Sequence, residues 1–210
     1  MSGTVSLLLG GARSGKSDWA ERLARRTGQP VVYLATAAAA DAEMAERIAR
    51  HRAARPASWR TIEEPEELTR VLRQRCQSGD VVVIDCLTLW VSNVILRRFG
   101  DVEDFAAIPA EEWSTIETDL LGAVDDLLEI ARRIGLSLIV VSNEVGLGLV
   151  PPYPLGRRYR DILGRVNCAL AGRADLVLLL IAGLPIDLGR LVPPELRRII
   201  VDSDNPNEGE

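Results

Sequence analysis

The clearest chemistry in the chain lies in the run Gly10, Gly11, Ala12, Arg13, Ser14, Gly15, Lys16 and Ser17. It fits G-x-x-x-x-G-K-[ST], in which glycines let backbone N–H groups wrap a phosphate and the lysine supplies a full charge to the β- and γ-phosphates. The closing hydroxyl, Ser17, is placed to hold Mg2+. The context agrees. The apolar run Val5–Leu9 reads as a strand, and Lys16–Thr27 reads as a helix whose N-terminus adds partial positive charge. A glycine-rich turn without a ligand is the competing reading. A metal also needs a carboxylate, and Val81–Asp85 reads as a strand with Asp85 at its C-terminal end, beside the phosphate loop. The alternative is an acid that merely ends a strand. Together these parts indicate a nucleoside triphosphate and Mg2+, but no particular reaction.

The single histidine, His51, stands in Arg47-Ile48-Ala49-Arg50-His51-Arg52-Ala53-Ala54-Arg55. Arg47, His51 and Arg55 are four apart and share one helix face, while Met44 and Ile48 fall on another stripe. Such a face suits an anion, and its positive charges favour the neutral, nucleophilic imidazole. From spacing alone, an incidental histidine on a solvated basic face is the simpler reading. The acidic run Glu63-Glu64-Pro65-Glu66-Glu67 reads as the start of a helix, favoured by the helix dipole.

These groups need a scaffold, and the pattern supplies β-α alternation. Strands are expected at Val5–Leu9, Val31–Ala35, Val81–Asp85, Leu136–Ser142 and Asp175–Ala182. Helices are expected at Lys16–Thr27, from Asp41 to about Ala54, Pro65–Gln77, Leu87–Arg98, Pro109–Ile134 and Arg157–Gly172. The stretches Gly100–Ile108 and Asn143–Gly156 read as loops. The implied fold is α/β, a three-layer P-loop NTPase-like domain with a mostly parallel sheet flanked by helices. It spans residues 1–186 as one domain, followed by a polar, mobile tail over 187–210.

Composition excludes several classes. With 47% hydrophobic and 26% charged residues, the chain is neither disordered nor a small disulfide scaffold. A net charge of −5 disfavours a nucleic-acid partner. The longest apolar stretches, Leu176–Leu184 and Leu136–Val141, are nine and six residues, too short for a membrane span. Val5–Leu9 lacks the preceding basic residue of a signal peptide. The three cysteines, Cys76, Cys86 and Cys168, are dispersed and form no Cys-x-x-Cys pair, which suits a reducing cytoplasm.

Several segments resemble the bifunctional adenosylcobinamide kinase / adenosylcobinamide-phosphate guanylyltransferases. They are GGARSGKS, Ala35-Thr36, the stretch Asp41–Thr61 with its H-R-x-x-R-P, Val141–Pro151 with N-E-V-G-x-G, and Leu155–Asn167. The resemblance covers about residues 5–186. It implies phosphorylation of the aminopropanol hydroxyl of adenosylcobinamide, then transfer of GMP from GTP to the resulting phosphate. The family's guanylylated histidine falls on His51, with Lys16 as the second catalytic position. Nucleotide contacts carry over to Gly10–Ser17, Ala35, Thr36, Ala37, Arg52, Ala53, Ala54, Arg55, Glu63 and Asp85, with Ser17 and Asp85 as the Mg2+ positions. Some members have Glu where this chain has Asp85, and the shorter side chain favours a water-mediated metal contact. GTP is the nucleotide implied, with ATP as an alternative phosphoryl donor. The corrinoid is the partner, and a homo-oligomer, a trimer in some members, is the implied assembly. Against this stand a monofunctional P-loop kinase or ATPase and a non-catalytic nucleotide-binding switch. Neither would carry covalent nucleotide.

Overall fold

The computed structural model describes residues 3–37, 55–100, 102 and 104–193. The helix expected from Asp41, together with His51, Arg52, Ala53 and Ala54, lies outside them. Seven strands form one sheet: β1 (Val5–Gly10), β2 (Val31–Ala35), β3 (Arg60–Glu63), β4 (Val81–Asp85), β5 (Ser137–Val141), β6 (Leu176–Ile181) and β7 (Leu184–Asp187). Their spatial order is β3-β2-β4-β5-β1-β6-β7. The pairings among β1 to β6 are parallel, and β7 returns antiparallel to β6.

The expected α/β architecture is therefore present, with two strands more than the apolar runs indicated. β3 escaped because its sequence, RTIE, is polar and it lies at an edge, where no residue is fully buried. β7 escaped because Pro185 and Asp187 break the apolar run, which an edge strand tolerates. The turn before β7 places Ala182 and Gly183 at φ 51° and 82°, as a two-residue hairpin linking twisted strands requires. Asp187, placed by composition in the polar tail, ends β7, and the single turn α6 (Leu188–Leu191) follows.

The longer helices are α1 (Lys16–Arg26), α2 (Leu68–Arg75), α3 (Leu87–Phe99), α4 (Ala110–Ile134) and α5 (Pro154–Ala171). Two of their starts differ from the sequence expectation by three residues. α2 begins at Leu68 instead of Pro65, because Glu64 Oε1 accepts the N–H groups of Glu66 and Glu67 and holds that acidic run in a turn. α5 begins at Pro154 instead of Arg157, since proline suits a first turn whose N–H groups lack intrahelical acceptors.

Strand alternation divides the core in two. Val5, Leu7 and Leu9 point with Val82, Ile84, Leu138 and Val140 toward α2–α5, which contribute Leu72, Trp90, Leu128 and Leu163. Leu8, Val81, Val83, Ile139 and Val141 point the other way, against Ala20 and Ala24 of α1. Central strands buried on both faces are what a parallel sheet covered by helices produces. Among the described residues no helix is long and apolar enough to cross a membrane.

Leu128 is fully buried in the larger core. Leu128→Ala is expected to lower unfolding free energy by about 2–5 kcal/mol, read from the urea midpoint, through lost transfer energy and the cavity left behind.

Candidate nucleotide-binding site

Because β1 to β6 run parallel, their C-terminal ends share one edge of the sheet, where ligands of such folds bind. β1 ends at Gly10, and the chain then loops into α1 through Gly15, whose φ of 90° makes it a left-handed helix cap. Gly10 itself has φ 151°, and a Cβ there would stand 2.5 Å from the Leu180 carbonyl oxygen and 2.6 Å from Ser14 Oγ. The loop is anchored on two sides. Glu144 N–H donates to the Gly10 carbonyl (3.1 Å) and Gly183 N–H to the Ser14 carbonyl (3.2 Å). Trp19 of α1 donates from Nε1 to the Gly183 carbonyl (2.9 Å), so the β6–β7 turn is clamped against the loop. No sequence pattern marked Gly183 or its docking on the phosphate loop.

Lys16 is only 7% exposed, and its Nζ donates to the Gly11 carbonyl (2.7 Å) and reaches Ser14 Oγ at 3.5 Å. Burial lowers its pKa, opposed by the negative fields of Cys86 and Asp85. The loop thus satisfies its own ammonium with a backbone carbonyl. Ala12 and Arg13 are exposed on the outer side of the loop, and Arg13 adopts a left-handed φ of 57°.

Three further expected positions form one row. Ala35 is in register with Glu63 on one side and Asp85 on the other. The row is tied by backbone bonds from Glu64 N–H to the Ala35 carbonyl (2.9 Å) and from Thr36 N–H to the Asp85 carbonyl (3.1 Å). Thr36, fully buried, donates from Oγ1 to the Cys86 carbonyl and accepts from Cys86 N–H, both at 2.7 Å. Asn93 of α3 donates to the carbonyls of Thr36 (2.9 Å) and Pro65 (3.1 Å). No motif singled out Asn93, because a lone amide within an apolar helix carries no local signal. Ala37 is half-buried just beyond Thr36.

Asp85 accepts the Tyr33 hydroxyl at Oδ2. Burial and the nearby carboxylate push the Tyr33 phenol well above its ordinary pKa, so it stays a proton donor. Arg55 lies with its guanidinium carbon 3.4 Å from the centroid of the Tyr33 ring. The residues present suit Mg2+. One hydroxyl (Ser17) and one carboxylate (Asp85) are hard oxygen donors, and such a sparse set leaves positions for phosphates and water, which Mg2+ prefers to an all-protein cage. Among the described residues no cluster of three acidic, histidine or cysteine side chains offers such a cage.

A mostly parallel sheet with this loop between an interior strand and the following helix defines a P-loop nucleoside-triphosphate-binding protein. The chain belongs to the cobinamide kinase / cobinamide phosphate guanyltransferase family, whose model matches residues 6–188. It is 46% identical over 182 residues to the bifunctional adenosylcobalamin biosynthesis protein CobP of Pseudomonas aeruginosa, covering 87% of this chain and 95% of that one. It is 37% identical over 184 residues to the bifunctional adenosylcobalamin biosynthesis protein CobU of Escherichia coli, covering 87% and 98%. Among solved structures, the RadB recombinase is similar with a TM-score of 0.46 and 19% identity, over 85% of this chain and 74% of that one.

Gly10→Ala is expected to weaken GTP binding at least about tenfold by calorimetry. The added methyl meets a β6 carbonyl, so the strand or the loop must shift.

Proposed function

We propose that this chain phosphorylates the aminopropanol hydroxyl of adenosylcobinamide and then transfers GMP from GTP to the phosphate so formed. The observation that carries this reading is the family match over residues 6–188, joined to a phosphate loop whose lysine is buried and in place. In the first reaction the hydroxyl oxygen attacks the γ-phosphorus, its proton leaves, and the nucleoside diphosphate departs. Lys16 and the loop N–H groups hold the charge that spreads over the phosphoryl oxygens. Ser17 and Asp85 would hold Mg2+, which would supply neutralising positive charge there.

In the second reaction a His51 imidazole nitrogen attacks the α-phosphorus of GTP and pyrophosphate leaves. The corrinoid phosphate oxygen then attacks the same phosphorus, the P–N bond breaks, and imidazole is regenerated. Dividing the transfer in this way avoids direct attack of one polyanion on another. His51 is the only histidine in the chain, so no second imidazole can substitute. Arg52, Ala53, Ala54, Arg55 and Glu63 complete the nucleotide side, with Arg55 supplying positive charge.

The loop at 143–153 after β5 lies on the same edge and exposes Leu147, Leu149 and Val150 at 85%, 97% and 63%. We assign it to the corrinoid side, where apolar side chains would meet the ring. The setting is cytoplasmic, and the assembly a homo-oligomer. The domain extends through β7, which ends at Asp187, and the residues after it add no catalytic group.

Lys16→Ala should slow both reactions, by roughly 30- to 1,000-fold, because one phosphate loop serves both. Steady-state assays of each step check this, and full retention of either would require a second nucleotide site. His51→Ala should take up no label from GTP carrying it in the α-phosphate, while the wild type holds one GMP per chain. The adduct should be lost in acid and survive alkali, as a phosphoramidate does. The kinase step should persist in the mutant.

A further inference from the structure

Tyr33 belongs to no phosphate-binding pattern, yet it touches both the metal side and the nucleotide side of the site. It lies in the middle of β2, 1% exposed, paired with Val83 two residues before Asp85. Its side chain therefore points to the same face as Asp85, and its hydroxyl donates to Asp85 Oδ2. The ring is held firmly. Trp59 stacks at 6.4 Å between centroids with an interplanar angle of 24°. Arg25 lies 5.5 Å from the Trp59 centroid and is itself paired with Glu21 at 2.8 Å.

The guanidinium of Arg55 rests on the Tyr33 ring, and its Nε is buried with no hydrogen-bond partner among the described residues. Among the described residues no carboxylate pairs with this arginine. A ring face attracts the cation through its quadrupole without itself supplying a competing acceptor, which leaves the unbonded Nε–H for an anion.

We propose that Tyr33 is a positioning residue with two separable tasks: its hydroxyl fixes the Asp85 carboxylate for the metal, and its ring positions the Arg55 guanidinium for a nucleotide phosphate. This rests on the reading of Asp85 and Arg55 given under the proposed function. The hydroxyl task and the ring task divide cleanly between Tyr33→Phe, which removes only the first, and Tyr33→Leu, which removes both.

The test is a titration of Mn2+ into the full-length protein with GTP, followed by electron paramagnetic resonance, beside GTP binding in excess chelator. Tyr33→Phe should weaken Mn2+ about tenfold and leave metal-free GTP affinity within about twofold, as the loss of a hydrogen bond to a charged group implies. In an Asp85→Asn background, Tyr33→Phe should produce no further change in the Mn2+ constant. Tyr33→Leu should weaken both constants about tenfold. Should it not fold, Arg55→Lys takes its place and should weaken metal-free GTP binding alone.

An unchanged Mn2+ constant in Tyr33→Phe, or a lowered melting temperature with both constants intact, would overturn the hydroxyl task. Metal-free GTP binding unaffected by Tyr33→Leu or by Arg55→Lys would overturn the ring task. Wild-type protein that binds Mn2+ and GTP as expected, yet retains no GMP on denaturation, would defeat the His51 mechanism and leave the Tyr33 assignment standing.

Discussion

Parallel hydrogen bonding forces β1 through β6 to finish on one edge of the sheet, and the phosphate loop, Asp85, Ala35 and Glu63 all hang from that edge. Register does the finer placement. Ala35 stands between Glu63 and Asp85, while β5 separates β4 from the strand that carries the phosphate loop. At ~4.8 Å per strand, the loop and the carboxylate are on the order of 10 Å apart along the edge.

Burial is uneven across the two faces of this sheet, and that unevenness separates stability from chemistry. The larger apolar cluster faces α2–α5 and includes most of the large buried side chains. The α1 face carries a smaller cluster that includes Ala20, Ala24 and Tyr33, with Lys16 and the Tyr33-bonded Asp85 nearby. An ammonium and a carboxylate near an apolar core are tolerable only when their polar atoms are engaged. Lys16 meets the Gly11 carbonyl and Asp85 meets the Tyr33 hydroxyl. The strand ends are stitched in the same manner by the reciprocal Thr36–Cys86 pair and by the Asn93 amide. A polar network bonded in this way stiffens the edge from which a ligand would be bound.

Local signals were sufficient wherever a short stretch carried its own physics. The loop before α1 needed glycine because Gly10 and Gly15 occupy positive φ and Gly10 abuts a neighbouring strand. The four central strands were continuous apolar runs because both their faces are covered. Local signals failed where position in the sheet outweighed composition. β3 and β7 are edge strands whose polar or proline-containing sequences say little about pairing. The run from Glu63 to Glu67 looked like the acidic start of a helix, but the Glu64 side chain found backbone N–H groups nearby and made a turn.

The sequence by itself determined the class of fold, the phosphate loop with its lysine and hydroxyl, the acid at the end of β4, and the family. Each is written in contiguous residues whose types have one economical physical use. Only the tertiary structure decided that Tyr33 joins Asp85 to Arg55, that Asn93 pins the end of β2, and that the Gly183 turn clamps the phosphate loop. These contacts link residues 22 to 164 positions apart. Strand order and packing bring such distant groups together, and no pattern confined to neighbouring residues encodes them.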